Sequence, residues 1–264
     1  MSTLPRFETL LLERSGRRLT ITMNRPEMLN AFGAVMHREI VAALAFAQTD
    51  EASDIVIVTG AGRAFSAGGD IVRMQEFTTD PGLFDAEAAD AKRLVFTLLD
   101  IDKPVIARVN GPAVGLGATI ALLCDVAIAA DTARIGDPHV SIGLVAGDGG
   151  AVIWPALVGF HRAKEYLMTG EILSAAKAGE IGLYNHVVAP AALDGAIDDF
   201  CGRLEAGAMQ AIRLTKVTIN IELKRIAHAL MDPGIAYEAL TVRSDEHRKR
   251  VEAFARRASG RRPS

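Results

Sequence analysis

The chain is 264 residues long, 50% hydrophobic, and carries a formal net charge of −3. That length supports one large core with an appendage, and the slight acidic balance argues against bulk nucleic-acid binding. Its two cysteines, Cys124 and Cys201, lie far apart without metal-type spacing, which excludes a disulfide framework and suggests a reducing compartment.

The first eight residues lack the charged-then-apolar pattern of a secretory signal. The most apolar stretch, residues 114–128, is interrupted by Gly115, Gly117 and Asp125 and falls short of a membrane span. The expectation is a cytoplasmic protein with no membrane partner.

In chain order, residues 10–12 and 19–23 read as two strands joined by a turn at Ser15-Gly16. Residues 30–47 carry Phe32, Val35, Met36, Ile40 and Leu44 at helical spacing. Residues 55–59 form a buried strand, and Asp70 is placed to cap a helix starting at Ile71. Residues 78–90 are polar and read as a loop before a helix through Leu99. A second buried strand spans 105–109, an apolar helix 114–123, and short strands 126–130 and 133–135. Helical pattern resumes over 148–157, 163–169 and 175–180, followed by a strand at 186–188. Beyond residue 191 strands disappear: residues 191–204, 208–229 and 233–258 all read as helical. The chain is therefore expected to be an α/β core over residues 1–190, followed by a helical region over 191–264. The apolar positions Ile212, Leu214, Val217, Ile221, Leu223 and Ile226 must be covered by the core or by another subunit.

Two glycine-rich turns each follow an apolar run. The first is Ala61-Gly-Arg-Ala-Phe-Ser-Ala-Gly-Gly-Asp70; the second is Asn110-Gly-Pro-Ala-Val-Gly-Leu-Gly117. A strand, then glycines, then a helix start leaves backbone N–H groups without partners. Two such turns facing each other would present two donors to an oxyanion, which points to chemistry on a carbonyl.

These turns, with Asn24-Arg-Pro-Glu27, Asn30-Ala31, Lys103-Pro104, Cys124-Asp125, Gly143-Leu144 and Glu252-Ala-Phe254, resemble the crotonase superfamily of enoyl-CoA hydratases and isomerases over nearly the whole chain. The resemblance implies a crotonase-like spiral of ββα repeats with a C-terminal helical region that builds homotrimers or hexamers and contributes a lid to the pocket. It implies an acyl-CoA substrate, coenzyme A as part of that substrate, no separate cofactor and no metal. By position it places the oxyanion donors on the main chain of Gly69 and Leu116. It places the adenine site on the backbone of Ala64, Ser66 and Gly68. Arg25 stands in for a basic residue missing at Met28, and Phe254 and Arg257 lie where late residues approach a coenzyme A.

The sequence departs from the family at the acid–base positions. The two glutamates of family hydratases correspond here to Thr119 and His139. His139 has the ordinary pKa, about 6.5, of a group suited to proton transfer near neutrality. Asp148, in Gly147-Asp-Gly-Gly150, sits on a turn where some isomerases carry a carboxylate; its other reading is a helix cap. The His139/Asp148 pair also resembles crotonase-like β-diketone hydrolases, in which such an Asp orients the His. Those enzymes add an early-helix histidine and a late glutamate, matched by His37 and Glu238, although Phe32 stands where that group has tryptophan. Three functions follow. The first is an acyl-CoA lyase or isomerase using His139 and Asp148. The second is a carbon–carbon bond hydrolase of a cyclic β-diketone or β-keto thioester. The third is a non-catalytic acyl-CoA- or protein-binding paralogue.

Overall fold

A computed structural model describes residues 3–258. The chain opens with a hairpin, β1 (Leu10–Ser15) and β2 (Arg18–Met23), then α1 (Ala34–Thr49) and β3 (Ile55–Gly60). Helices α2 (Ile71–Thr79) and α3 (Gly82–Asp100) precede β4 (Val105–Val109), β5 (Ala113–Val114), α4 (Leu116–Leu123), β6 (Val126–Ala130) and β7 (Arg134–Gly136). A 3-10 turn, His139–Ile142, leads to α5 (Gly150–Thr169), β8 (Leu173–Ser174), α6 (Ala175–Ile181) and β9 (His186–Val188). Helices α7 (Leu193–Glu205), α8 (Met209–Val242) and α9 (Asp245–Ala258) complete the described chain.

Six strands form one sheet in the order β1-β2-β3-β4-β6-β9, antiparallel at β1/β2 and parallel elsewhere. A parallel sheet must be covered on both faces, which explains why every residue of β3 is buried. Its side chains alternate between two clusters. Val56 and Val58 face the main core with α1, α3 and α4, whereas Ile55 and Ile57 face a smaller cluster with Leu193, Ile197 and Cys201 of α7. A second sheet, β5-β7-β8, carries the chain from the second glycine turn towards His139.

Two elements differ from the sequence reading. Residues 78–90 are mostly helical: α2 ends at Thr79 and α3 begins at Gly82. The polar Asp85-Ala-Glu-Ala-Ala-Asp-Ala91 run is rich in strong helix formers. Phe77 packs edge-on against Phe84 (5.7 Å between ring centroids), and Arg73 pairs with Glu87 across the α2–α3 corner. Second, α8 runs unbroken through Pro233. Proline costs a helix one hydrogen bond, but buried Ala227, Met231 and Glu238 on either side hold this helix against the core. Lower down α8, buried Lys216 donates to Lys103 O (2.8 Å) and pairs with Asp125 (2.7 Å), whose carboxylate also accepts the Val105 N–H (2.7 Å). Both cysteines are free and buried. Among the described residues, no helix is long and apolar enough to cross a membrane.

The turn after β3 is held by one side chain. Buried Asn30 donates from Nδ2 to the carbonyls of Ala61 (2.9 Å), Ala64 (2.9 Å) and Phe65 (3.3 Å), and its Oδ1 accepts the Arg25 N–H (2.9 Å). Asn30 also has φ 56°, which asparagine tolerates better than alanine. Asn30→Ala leaves buried carbonyls unpaired and strains the backbone. The expected cost is about 2–4 kcal/mol in denaturant unfolding; a loss below about 0.5 kcal/mol would show that the turn holds without it.

Candidate active site

The two glycine turns meet at one cavity. Phe32 forms a parallel bridge to the first turn, with its N–H donating to Gly68 O (2.7 Å) and its carbonyl accepting from Asp70 N (2.9 Å). That pattern uses the residues on either side of Gly69 and leaves the Gly69 N–H outside the bridge. In the second turn, the Gly115 N–H donates to Gly136 O (2.9 Å), and Gly115 adopts φ 53°, ψ −124°, a conformation suited to glycine. Leu116 then opens α4, so its N–H is among the first-turn donors with no acceptor inside the helix. Gly69 and Leu116 both line the cavity. Its apolar wall comes from Met74, Phe77, Phe84, Ala88, Ala91, Leu144 and Ile235. The segment expected to be a loop, residues 78–90, contributes Phe84 and Ala88 to that wall from the first turns of α3.

Four titratable side chains named from the sequence reach the same cavity: His37 from α1, His139, Asp148, and Glu238 from α8. His139, Asp148 and Glu238 form a buried cluster, with His139 Nε2 lying 3.4 Å from Asp148 Oδ2 and 3.9 Å from Glu238 Oε1. The cap position of α5 is Gly149, so Asp148 stands one residue ahead of it, where the Gly150 N–H of the first turn favours its carboxylate. Asp148 does not hold the Nδ1 side of the His139 ring. That contact belongs to Asp137, which the sequence reading passed over. Asp137 precedes His139 by two residues across Pro138, so Asp-Pro-His was the available signal.

Burial governs the charges here. It would lower the His139 pKa, but the surrounding Asp137, Asp148 and Glu238 carboxylates outweigh it and hold the ring well above its ordinary value. Burial raises Asp148, against the pull of His139 and with a further push from Asp137. Burial likewise pushes Glu238 up to about 8, partly offset by His139 and reinforced by Asp148 and Asp137. At His37 the opposing pull, from Asp90, is too weak to offset burial. Burial lowers His37 to about 4, so at neutral pH its ring is uncharged, with a buried Nδ1 lacking a partner. Asp137, His139 and Asp148 bring potential ligand atoms within 4.8 Å of one another. Asp137 and the His139 Nδ1 are engaged with each other, and a cation at Nε2 would compete with the proton that the carboxylates favour there.

The other expected site residues fall in three places. Thr119 is fully buried in α4, behind the Gly149 turn, and is not on the cavity wall. Ser66 turns inward, donating to Asn30 O (2.8 Å) and accepting the Gly68 N–H (3.2 Å). The Ala64 carbonyl accepts from both Asn30 and Asn110. That leaves backbone rather than side chains to any ligand at this turn. Arg25 is held by Ala31 O (3.2 Å) and Asp70 (3.3 Å) at the edge of a shallow groove. Phe254 and Arg257 are exposed on α9, away from the cavity lining.

The sequence profile of the enoyl-CoA hydratase/isomerase family matches residues 14–259. A crotonyl-CoA hydratase of Syntrophomonas wolfei is 36% identical over 81% of this chain and 82% of its own length. A trans-2-decenoyl-[acyl-carrier-protein] isomerase of Streptococcus mutans is 32% identical over 80% of this chain and 81% of its own. The crystal structure of an enoyl-CoA hydratase/isomerase from Mycobacterium paratuberculosis superposes with a TM-score of 0.87 at 36% identity, covering 93% of this chain and 98% of that one. With its parallel sheet, paired glycine turns and C-terminal helices, the chain belongs to the enoyl-CoA hydratase/isomerase family of the crotonase superfamily.

Proposed function

We propose that this protein is an acyl-CoA lyase or isomerase working through a thioester enolate. The Gly69 and Leu116 N–H groups serve as the oxyanion hole, and the His139/Asp148 pair stands in place of the usual two glutamates. The observation that carries the reading is the convergence of His139, Asp148 and Glu238 on the cavity that Gly69 and Leu116 line. A deprotonated Cα would pass its charge to the thioester oxygen, where two backbone donors in a dry site are worth most. Nearby carboxyl and imidazole groups with raised pKa values suit proton transfer close to neutral pH.

The cavity encloses about 90 Å³, room for a short acyl segment but not for a nucleotide. Coenzyme A, as part of the substrate, would lie outside it along the backbone of residues 64–68, with Arg25 at that edge and Phe254 and Arg257 contributed late in the chain. On α8, Leu214 (59% exposed) and Ile221 (65%) stand uncovered. They support a homotrimer or hexamer, which light scattering checks. A carbon–carbon bond hydrolase is the second reading. It is favoured by one observation: neutral His37 shares the cavity wall with His139, Asp148 and Glu238.

Leu116 is the first residue of α4, a position where proline fits a helix while removing the N–H. Leu116→Pro should therefore fold and lose about 10²–10³ in turnover; near-normal turnover would exclude this donor. A panel of enoyl-CoAs and cyclic diketones separates the two readings, because turnover confined to diketones would overturn the first. On the preferred substrate, His139→Ala and Asp148→Asn should each lose at least about 10² in kcat/KM. The double variant should lose far less than their product. Glu238 yields a pH prediction. Its folded pKa, about 8, lies above its unfolded value, so native Glu238 holds its proton more tightly and stabilises the fold at low pH. That contribution fades as pH rises from about 4.5 to about 8. Glu238→Gln should flatten the decline in unfolding free energy over this window, and identical pH profiles for the two proteins would contradict it.

A further inference from the structure

An imidazole can act as a base only through a nitrogen with a free lone pair. Both His139 nitrogens face carboxylates: Nδ1 contacts Asp137, and Nε2 faces Asp148 and Glu238. Asp137 is almost fully buried, its Oδ2 has no hydrogen-bond partner, and it reaches the ring from the loop after β7. Space for it is reserved at the start of α5, where a Cβ on Gly150 would come within 2.0 Å of Asp137 Oδ2. The backbone beneath the ring is also fixed, since the His139 carbonyl accepts the Leu144 N–H (2.8 Å). The ring is thus held at its base by the 3-10 turn and at Nδ1 by a dedicated carboxylate.

We propose that Asp137 is the positioning residue of this site, holding His139 through Nδ1–H as a fixed imidazolium, so that Asp148 rather than His139 takes the proton from the substrate. This rests on the enolate reading above. In the step, the substrate Cα–H bond breaks and its proton forms an O–H bond on the Asp148 carboxylate. The electron pair moves into the enolate, whose oxygen meets the Gly69 and Leu116 N–H groups. The proton returns to carbon from Asp148, or another is delivered by the Glu238 carboxyl. His139 keeps its protons throughout and serves as the cation that lets Asp148 ionise in a buried site. The other charged or titratable groups on this cavity are His37 from α1, Asp70 and Arg73 from the start of α2, and Glu87 from α3, with Arg73 and Glu87 paired to each other. None of these is among the groups that contact the His139 ring. The raised pKa of His139 agrees with this role, as does that of Glu238, which retains its proton at neutral pH. An Asp–His pair with the imidazole as base would instead require a neutral ring with Nε2 unprotonated.

The test reads the histidine directly. In protein labelled with ¹³C at histidine Cε1, His139 is assigned among the six histidines by loss of its resonance in His139→Gln. Wild-type His139 should remain an imidazolium at pH 8, and Asp137→Asn should lower its titration by at least about 1 pH unit. A neutral His139 at pH 7 in the wild type overturns the proposal, as does a titration unmoved by Asp137→Asn. The wild-type result decides even if Asp137→Asn fails to fold. Neither readout requires turnover, so an inactive panel of acyl-CoAs would sink the functional reading and the proton step built on it, while the titration alone decides whether Asp137 holds His139 as an imidazolium. On a turned-over substrate, Asp137→Asn should lower kcat at least about 10-fold with KM within about 3-fold, and Asp137→Glu should recover part of the loss. An unchanged kcat would overturn the proposal.

Discussion

Direct backbone-to-backbone contact between two turns governs the geometry of this protein. A Cβ on Gly111 would lie 2.1 Å from the Arg63 carbonyl, and one on Gly117 would lie 2.8 Å from the Ser66 carbonyl. The first turn therefore rests closely on the second, and Asn110 of the second turn also donates to the Gly62 (2.9 Å) and Ala64 (3.2 Å) carbonyls of the first. Their relative placement is set by covalent geometry and a few hydrogen bonds, such as Phe65 N and Ser66 N to Pro112 O (3.0 Å each). Gly69 and Leu116, one from each turn, are thereby brought to one cavity with their main-chain N–H groups, an arrangement that suits preorganised charge stabilisation.

Around that frame the fold buries an unusual amount of ionisable chemistry. Three carboxylates surround one imidazole, and two of them, Asp148 and Glu238, share with it a space walled by Phe77, Phe84, Leu144 and Ile235. Each carboxylate arrives on a different element: Asp137 after β7, Asp148 ahead of α5, and Glu238 midway along α8. Their mutual repulsion is tolerated because protons remain on some of them and because His139 lies among all three. Such clusters cost stability and are usually found where they are used. The cost is met by packing elsewhere, including α8, which passes Pro233 without breaking because its buried face is anchored on both sides.

Much of the site could be read from residue types. The turns carrying Gly69 and Leu116 stand out because glycines between a buried strand and a helix start have few other uses. His139, Asp148, His37 and Glu238 were recognisable by position in the family pattern, and all four line the cavity. Asp137 was not recognised, although it lies two residues from His139. Side-chain direction across a proline depends on the local backbone, and only the folded loop turns both residues to the same point. Residues 78–90 were misread because their polarity suggests a loop. Helix formation there follows the alanines and glutamate of the 85–91 run, and the corner between the two helices is fixed by Phe77 meeting Phe84 and Arg73 meeting Glu87.

By itself the amino-acid sequence determined the parallel α/β core, its glycine turns and the helical C-terminal region, because hydrophobic period and glycine placement are local properties that survive in a one-dimensional string. It also gives threonine at 119 and histidine at 139, since identity at a position is all that statement requires. Tertiary structure alone decided which acid touches His139, that Thr119 lies behind the cavity rather than in it, and that Glu238 joins the cluster from nearly one hundred residues away. Charge states followed only then. The pKa of a buried group depends on distances to neighbours in three dimensions and on the water that burial removes, and neither is written in the order of the residues.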